Sequence, residues 1–274
     1  PFLSQIENGR RTPSVELVEQ WHAECLELLQ TRIAEDDSLT VRQHRELTAD
    51  AERMASDDYR RRLQQLAEDA NTEVVSNWTV YRTGLAKRQQ DFIDLDSKAV
   101  RIRHFQPLLC PGPLQTPELA RLIMTADPNV TEEAATAAVE ARMRRGERLR
   151  QPDASDYQVI VTEHALQLKL AGSTPQTYPR LLRHIAEMAQ APRITVRVIP
   201  AEVPHNYVLV SPFLIYDLDD TSIVLIDTYS AQVTLSAPYD VRRHAEAWSR
   251  LEDIALDPDQ TQQWLLERSQ DAGA

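Results

Sequence analysis

The six glycines of this chain, at positions 9, 84, 112, 146, 172 and 273, never stand closer than 26 residues apart. A dinucleotide-binding G-x-G-x-x-G turn needs glycines two and three apart. A phosphate loop needs two of them five apart, followed by Lys. Both cradles are therefore excluded, and so is the G-x-S-x-G nucleophile elbow. The same scarcity leaves few tight hairpins and favours helices, whose interiors lose about 1 kcal/mol for each Gly. With 274 residues, 42% of them hydrophobic, the chain can bury a core in one large domain or two small ones.

Periodicity divides the chain further. Leu3 and Ile6 share a helix face, and Gly9 suits the residue just past a helix end. Ser14 reads as the N-cap of a helix carrying Val15, Val18, Trp21, Cys25 and Leu29 at helical spacing. From about 15 to 95 the pattern stays polar and helical, with breaks expected at 38–40 and 71–77. Leu47, Ala51 and Met54, then Leu63, Leu66, Ala70 and Val74, make a narrow apolar stripe. Such a stripe needs partner helices, in cis as a hairpin or across a dimer. Prolines at 107, 111, 113 and 117 mark a shift in composition, and Pro-Gly-Pro at 111–113 cannot lie inside a helix. Thr116 caps a helix with Pro117 at its first position, Asp127-Pro128 breaks it, and Thr131 starts an alanine-rich helix to about Arg150.

In the last third the spacing predicts strands at 157–162, 194–199, 213–217, 222–227 and 232–235, the last three forming a meander. Helices are expected at 179–190 and 239–255, with a short one at 261–267 before a frayed acidic tail. The expected fold is mainly α with a C-terminal α+β domain on a mixed sheet.

Net charge is −12, from 42 acidic against 30 basic side chains. A surface this acidic repels phosphate at long range, so nucleic-acid binding must come from a local module. Two cysteines form neither C-x-x-C nor a zinc set and fit a reducing cytoplasm, the expected location. No apolar run approaches the roughly 20 residues of a membrane span, and no leader is visible, so no membrane partner is expected. No metal and no cofactor are expected either.

Catalytic constellations are sparse. The zinc-protease H-E-x-x-H is absent. His22-Ala-Glu24 matches only the first half of the zinc-deaminase signature and reads as an ordinary helix face. Glu163-His164, just after a strand, with His205 in the loop at 204–206, is the one arrangement that suits acid/base work. Its plainer reading is a solvated loop. Cys110 has no base beside it and reads as a structural thiol. Five arginines between Arg142 and Arg150 suit phosphate or an acidic partner; more plainly, they are a charged helix end that balances acids elsewhere.

The run Phe2-Leu-Ser-Gln-Ile-Glu-Asn-Gly-Arg-Arg-Thr-Pro-Ser14 resembles the recognition helix and following turn of Xre/Cro-type helix-turn-helix repressors. The resemblance makes Ser4, Gln5, Asn8, Arg10 and Arg11 the DNA-binding candidates. Gln5 can bond adenine bidentately, and Asn8, Arg10 and Arg11 suit phosphates past the helix end. The chain opens at Pro1, and the module's first two helices are expected to precede it.

A second resemblance covers most of 100–260. Arg101-Ile-Arg-His-Phe-Gln-Pro-Leu-Leu-Cys-Pro-Gly-Pro-Leu-Gln-Thr116 is similar to the R-x-F-x-P-x-x-V-P-G-L-L-Q-T signature of a large actinobacterial family, with Pro113 in place of the usual Leu. Its members place an Xre-type domain before a domain of unknown function, and include WhiJ-like and antitoxin-like regulators often encoded beside small partner proteins. This implies four parts: a partial helix-turn-helix at 1–30, a helical connector and dimerisation element at 31–99, an α+β ligand- or partner-binding domain at 100–260, and an acidic tail at 261–274.

The function expected is that of a non-enzymatic transcriptional regulator. A homodimer would bind a double-stranded DNA operator under the control of a small protein partner or small-molecule effector. An antitoxin-like interaction module, or an enzyme using Glu163, His164 or His205, are the rival readings. Gln115, Thr116, Glu163 and His205 are the ligand- or partner-binding candidates. Gln115 and Thr116 lie beside Leu108, Leu109 and Leu114, which makes either a pocket or a hinge.

Overall fold

The computed structural model describes residues 13–76, 85–204, 211–228 and 230–271. The chain divides into two compact units. One comprises Pro1–Glu73 with Leu235–Tyr239, the other Val74–Thr234 with Asp240–Ala274.

In the first unit, helices α1 (Val15–Glu35), α2 (Val41–Ala55) and α3 (Asp57–Ala70) pack on one another. Each begins on a side-chain cap: Ser14 for α1, Thr40 in a reciprocal capping box with Gln43 for α2, and Ser56 for α3. Ser56 ends α2 in extended backbone (ψ 143°) and its hydroxyl accepts from Tyr59 N at 3.3 Å. One residue thus splits what reads as a continuous helix from 41 to 70. Helices α1 and α3 run antiparallel: the Asn71 amide donates to Pro13 O at 2.8 Å, Gln64 bonds Glu19, and the His22 and Tyr59 rings lie 5.8 Å apart.

The apolar stripe is met in cis, but not by all the residues expected of it. Leu47, Ala51 and Met54 face inward on α2. On α3 the inward set is Tyr59, Leu63 and Ala67, while Leu66 is 55% exposed. The helix ends at Ala70, so Val74 falls in a strand and is exposed. On α1 the buried line passes through His22 and Leu26, leaving Cys25 exposed. The His22 ring bonds Met54 O at 2.8 Å, which satisfies it as a helix-packing residue.

The sheet strands are β1 (Thr72–Ser76), β2 (Ala99–Gln106), β3 (Asp156–Thr162), β4 (Ile194–Ile199), β5 (Phe213–Leu218), β6 (Ser222–Asp227) and β7 (Ala231–Leu235). Between and after them lie α4 (Leu85–Asp96), a 3-10 turn (Gly112–Leu114), α5 (Pro117–Met124), α6 (Glu132–Leu149), the one-turn α7 (Glu163–Leu166), α8 (Thr177–Met188), α9 (Pro238–Ile254) and α10 (Pro258–Asp271). Strand order is β1-β7-β6-β5-β2-β3-β4. β2, β3 and β4 are parallel; β5 is antiparallel to β2, and β6 to β5. The fold is α+β on a mixed sheet, as the sequence suggests, and the expected meander occupies one flank.

Register sorts the two faces. Tyr216, Ile102, Tyr157 and Ile194 form one cross-strand row, and Leu214, His104, Val159 and Val196 the next. This face carries the larger core, closed by Leu119 of α5, Leu149 of α6, Leu181, Leu182 and Ile185 of α8, and Leu265 of α10. On the other face Phe105 stacks near Phe213 (5.6 Å), whose ring meets His244 of α9 edge-on at 5.2 Å. Helix α10 is longer than the short helix expected at 261–267, because Thr261, Leu265 and Ser269 are buried along one side of it. The segment before it also covers the β4 edge: Leu256 N donates to Val198 O at 2.9 Å, and Val198 N to Thr261 Oγ1 at 3.2 Å.

Candidate functional site

Three parallel strands end on the same edge of the sheet, where open α/β sheets commonly hold ligands. The loop after β2 is the Pro-rich signature. Gln115 is 1% exposed, and both ends of its amide are engaged: Nε2 donates to Cys110 O at 2.6 Å, and Oε1 accepts from Arg142 of α6 at 2.7 Å. Thr116 caps α5, its hydroxyl accepting from Leu119 N at 3.2 Å. Leu114 is buried, while Leu108 is 67% exposed, so the leucines beside Gln115 do not share one lining. Helix α6 approaches the loop so closely that a Cβ on Gly146 would stand 2.8 Å from Pro113 O.

Glu163 follows β3 and is buried. Its carboxylate accepts from Gln167 Nε2 at 2.7 Å and from Ala201 N at 2.9 Å, tying the ends of β3 and β4 together. The Thr162 hydroxyl donates to Pro107 O at 2.7 Å and so joins β3 to the signature loop. His164 points to the exposed side. His205, and the DNA-binding candidates Ser4, Gln5, Asn8, Arg10 and Arg11, lie outside the described residues.

Beyond α7 the chain crosses back as a loop, 167–176, and forms the wall of a groove of about 690 Å³. Leu119, Leu166, Leu170 and Leu181 supply its apolar surface; Lys169, Ser173 and Thr174 are among its polar members. The loop is held by its own bonds. Leu170 N donates to Ser173 Oγ at 3.1 Å, Thr174 N to Thr177 Oγ1 at 2.9 Å, and the Thr177 hydroxyl to Glu118 at 2.5 Å. Gly172 turns it in the left-handed region (φ 92°), a conformation that suits Gly. The Tyr178 hydroxyl oxygen is buried beside the Gln167 side chain. Thr116 and Glu163 therefore set the walls of this groove, from the heads of α5 and α7, without lining it.

A second polar feature includes Asp96, which lies just before the start of β2. Arg145 of α6, 5% exposed, faces Asp96 of α4 with two bonds, 2.6 and 3.0 Å, and its guanidinium sits 4.5 Å over the Phe92 ring. The Tyr216 hydroxyl donates to Asp96 at 3.1 Å, and His104 Nδ1 shares a 2.8 Å hydrogen bond with Tyr157. Burial works against the Arg145 charge, but Asp96 outweighs it and raises the guanidinium pKa. Burial, aided by the charge of Arg145, pulls His104 down to about 3, so its ring is neutral. Burial likewise pushes the Cys110 thiol up, out of nucleophilic range, and draws Arg142 down to about 10.

Sequence reasoning did not find this pair or the groove. Asp96 and Arg145 are far apart in the chain, and Arg145 stands in a run whose other members, such as Arg148 and Arg150, make exposed pairs with Asp153 and Glu147. The groove had a signal: leucines at 166, 168 and 170 alternate like a strand but run directly into Ala-Gly-Ser-Thr-Pro, which cannot continue one.

Residues 89–267 match the family model described as a domain of unknown function, DUF5753. The chain belongs to that family. No curated protein matches it. Among solved structures, the phospholipase D family member Nuc from Salmonella typhimurium is 13% identical, with 68% of this chain and 96% of that chain covered and a TM-score of 0.35. TrmBL2, an archaeal chromatin protein, is 13% identical over 88% of this chain and 68% of that one, at 0.33. NucT from Helicobacter pylori is 11% identical over 68% and 98%, at 0.35. Likenesses this slight are no guide to chemistry. The signature loop, the groove and the Asp96–Arg145 pair all lie within the DUF5753 domain. Among its described residues no three His, Cys, Asp or Glu side chains gather as a metal site, and no described helix is long and apolar enough to cross a membrane.

Proposed function

We propose that the chain is a transcriptional regulator whose N-terminal segment is part of an Xre-type helix-turn-helix and whose DUF5753 domain takes an effector, a small molecule or small partner protein. The observation that carries this reading is the string at 2–14. The resemblance to a recognition helix and turn requires the next helix to start at its end, and Ser14 caps α1 there with a 3.3 Å bond from Leu17 N. Gln5 reads adenine from the major groove, and Asn8, Arg10 and Arg11 hold phosphates. A homodimer presents two such helices to two half-sites of the operator.

The domain acts by binding, not catalysis. Of the acid/base candidates, Glu163 is engaged by Gln167 and Ala201, and the buried Cys110 thiol is held protonated. Thr116 and Glu163 position the walls of the effector groove, from the heads of α5 and α7, and Gln115 ties the signature loop to α6. Selection of duplexes by the full chain from a randomised library tests the reading. It predicts enrichment of a two-fold-related motif; no enrichment over the input at moderate salt overturns it.

A further inference from the structure

We propose that the groove between α5, α7, α8 and the 167–176 loop binds a small amphipathic acid, with an aliphatic body and a carboxylate head. The inference deepens the effector half of the reading above and rests on it. At about 690 Å³ the groove falls within the roughly 300–1,000 Å³ typical of small-molecule sites. Its walls are leucines from four different segments, Leu119, Leu166, Leu170 and Leu181, which suit an aliphatic chain better than a planar polar ring.

The head group follows from the polar members. Lys169 is the sole charged residue among those lining the groove, so the complementary ligand is an anion. One ammonium matches a carboxylate; a phosphate, with more charge and more acceptor oxygens, calls for several cations or an array of backbone donors. The nearest acids are both engaged by other partners. Glu118 is held by Thr177 and by Arg180 at 3.5 Å, and Glu163 by Gln167 and Ala201 N. The self-bonded loop keeps the groove shaped before a ligand arrives, so little ordering cost falls on binding.

Calorimetric titration of the full chain with dodecanoate, below its micelle concentration, tests the proposal. Dodecyltrimethylammonium, with the same tail and the opposite charge, is the control. The expected result is saturable binding of dodecanoate and at least tenfold weaker binding of the cation. Lys169→Glu reverses that preference, and Leu170→Asp abolishes dodecanoate binding. Dodecanoate that fails to bind the wild type overturns the proposal. So does equal binding of acid and cation, or a preference for the acid unmoved by Lys169→Glu in a variant with wild-type melting. If dodecanoate binds as expected while no duplex is ever enriched, the groove stands and the regulator reading falls.

Discussion

A guanidinium as deeply buried as that of Arg145 is tolerated because Asp96 meets it with both oxygens and Tyr216 completes the acid's shell. Removing one partner strands a charge in a low-dielectric core. Arg145→Met is therefore expected to cost about 3–5 kcal/mol in urea unfolding. Arg145→Met with Asp96→Leu should recover most of that loss, since neither charge then remains; a double variant as unstable as the single one contradicts the account. His104 gives a separate pH signature. Its folded pKa of about 3 lies below the 6.5 of the free side chain, so the unfolded state binds more protons between those values. Stability is full above about 6.5 and falls as pH drops toward 3. Urea midpoints from pH 7 to 4.5 should decline less steeply in His104→Gln than in wild type. Neither residue announces itself in the sequence. Arg145 looks like its solvated neighbours, and only its Asp96 partner, brought in by the fold, separates it from them.

Helix α6 and the 3-10 turn at Gly112–Leu114 meet at backbone distance, and Gly146 makes that possible. In an exposed helix Gly→Ala stabilises by about 1 kcal/mol. Here Gly146→Ala is expected to destabilise by about 1–3 kcal/mol, because the new Cβ meets a carbonyl that the fixed Pro-Gly-Pro turn cannot move. A melting temperature at or above wild type contradicts that packing. Most other elements were legible because their local rules agree with the fold: Thr116 with Pro117, Thr131 with its two acids, and the alternating Ile194–Ile199 strand all stand where their caps and periods place them. The exceptions are physical. Ser56 closes one helix and opens another in a single residue, a signal too small to stand out in a polar stretch. Central strand β2 hides behind Arg101 and Arg103, which look solvent-bound until Asp217 of β5 pairs with both, at 2.7 and 3.0 Å. That pairing holds the Asp217 carboxyl below its usual range although burial pushes the other way. Strand β1 carries exposed Val74 and offers no inward row to read.

The molecule as a whole joins an acidic chain of net charge −12 to a proposed function at a polyanion. The two are compatible only if DNA contacts are confined to the first dozen residues and the remainder sets their geometry. The family assignment reaches the DUF5753 domain alone, so the DNA-binding half stands on residue chemistry. That chemistry separates two roles which a non-specific basic segment would merge. The decisive measurement is equilibrium binding of the full chain to its selected duplex across a salt series, for wild type, Gln5→Ala and Arg10→Ala. A reading helix predicts that Gln5→Ala loses about 1–3 kcal/mol on the selected sequence, little on a scrambled one, and keeps the salt slope. Arg10→Ala should weaken both sequences alike and flatten the slope by about one unit. Two variants that lose affinity equally on both sequences, with the same change of slope, would contradict base reading by this segment and with it the proposed function.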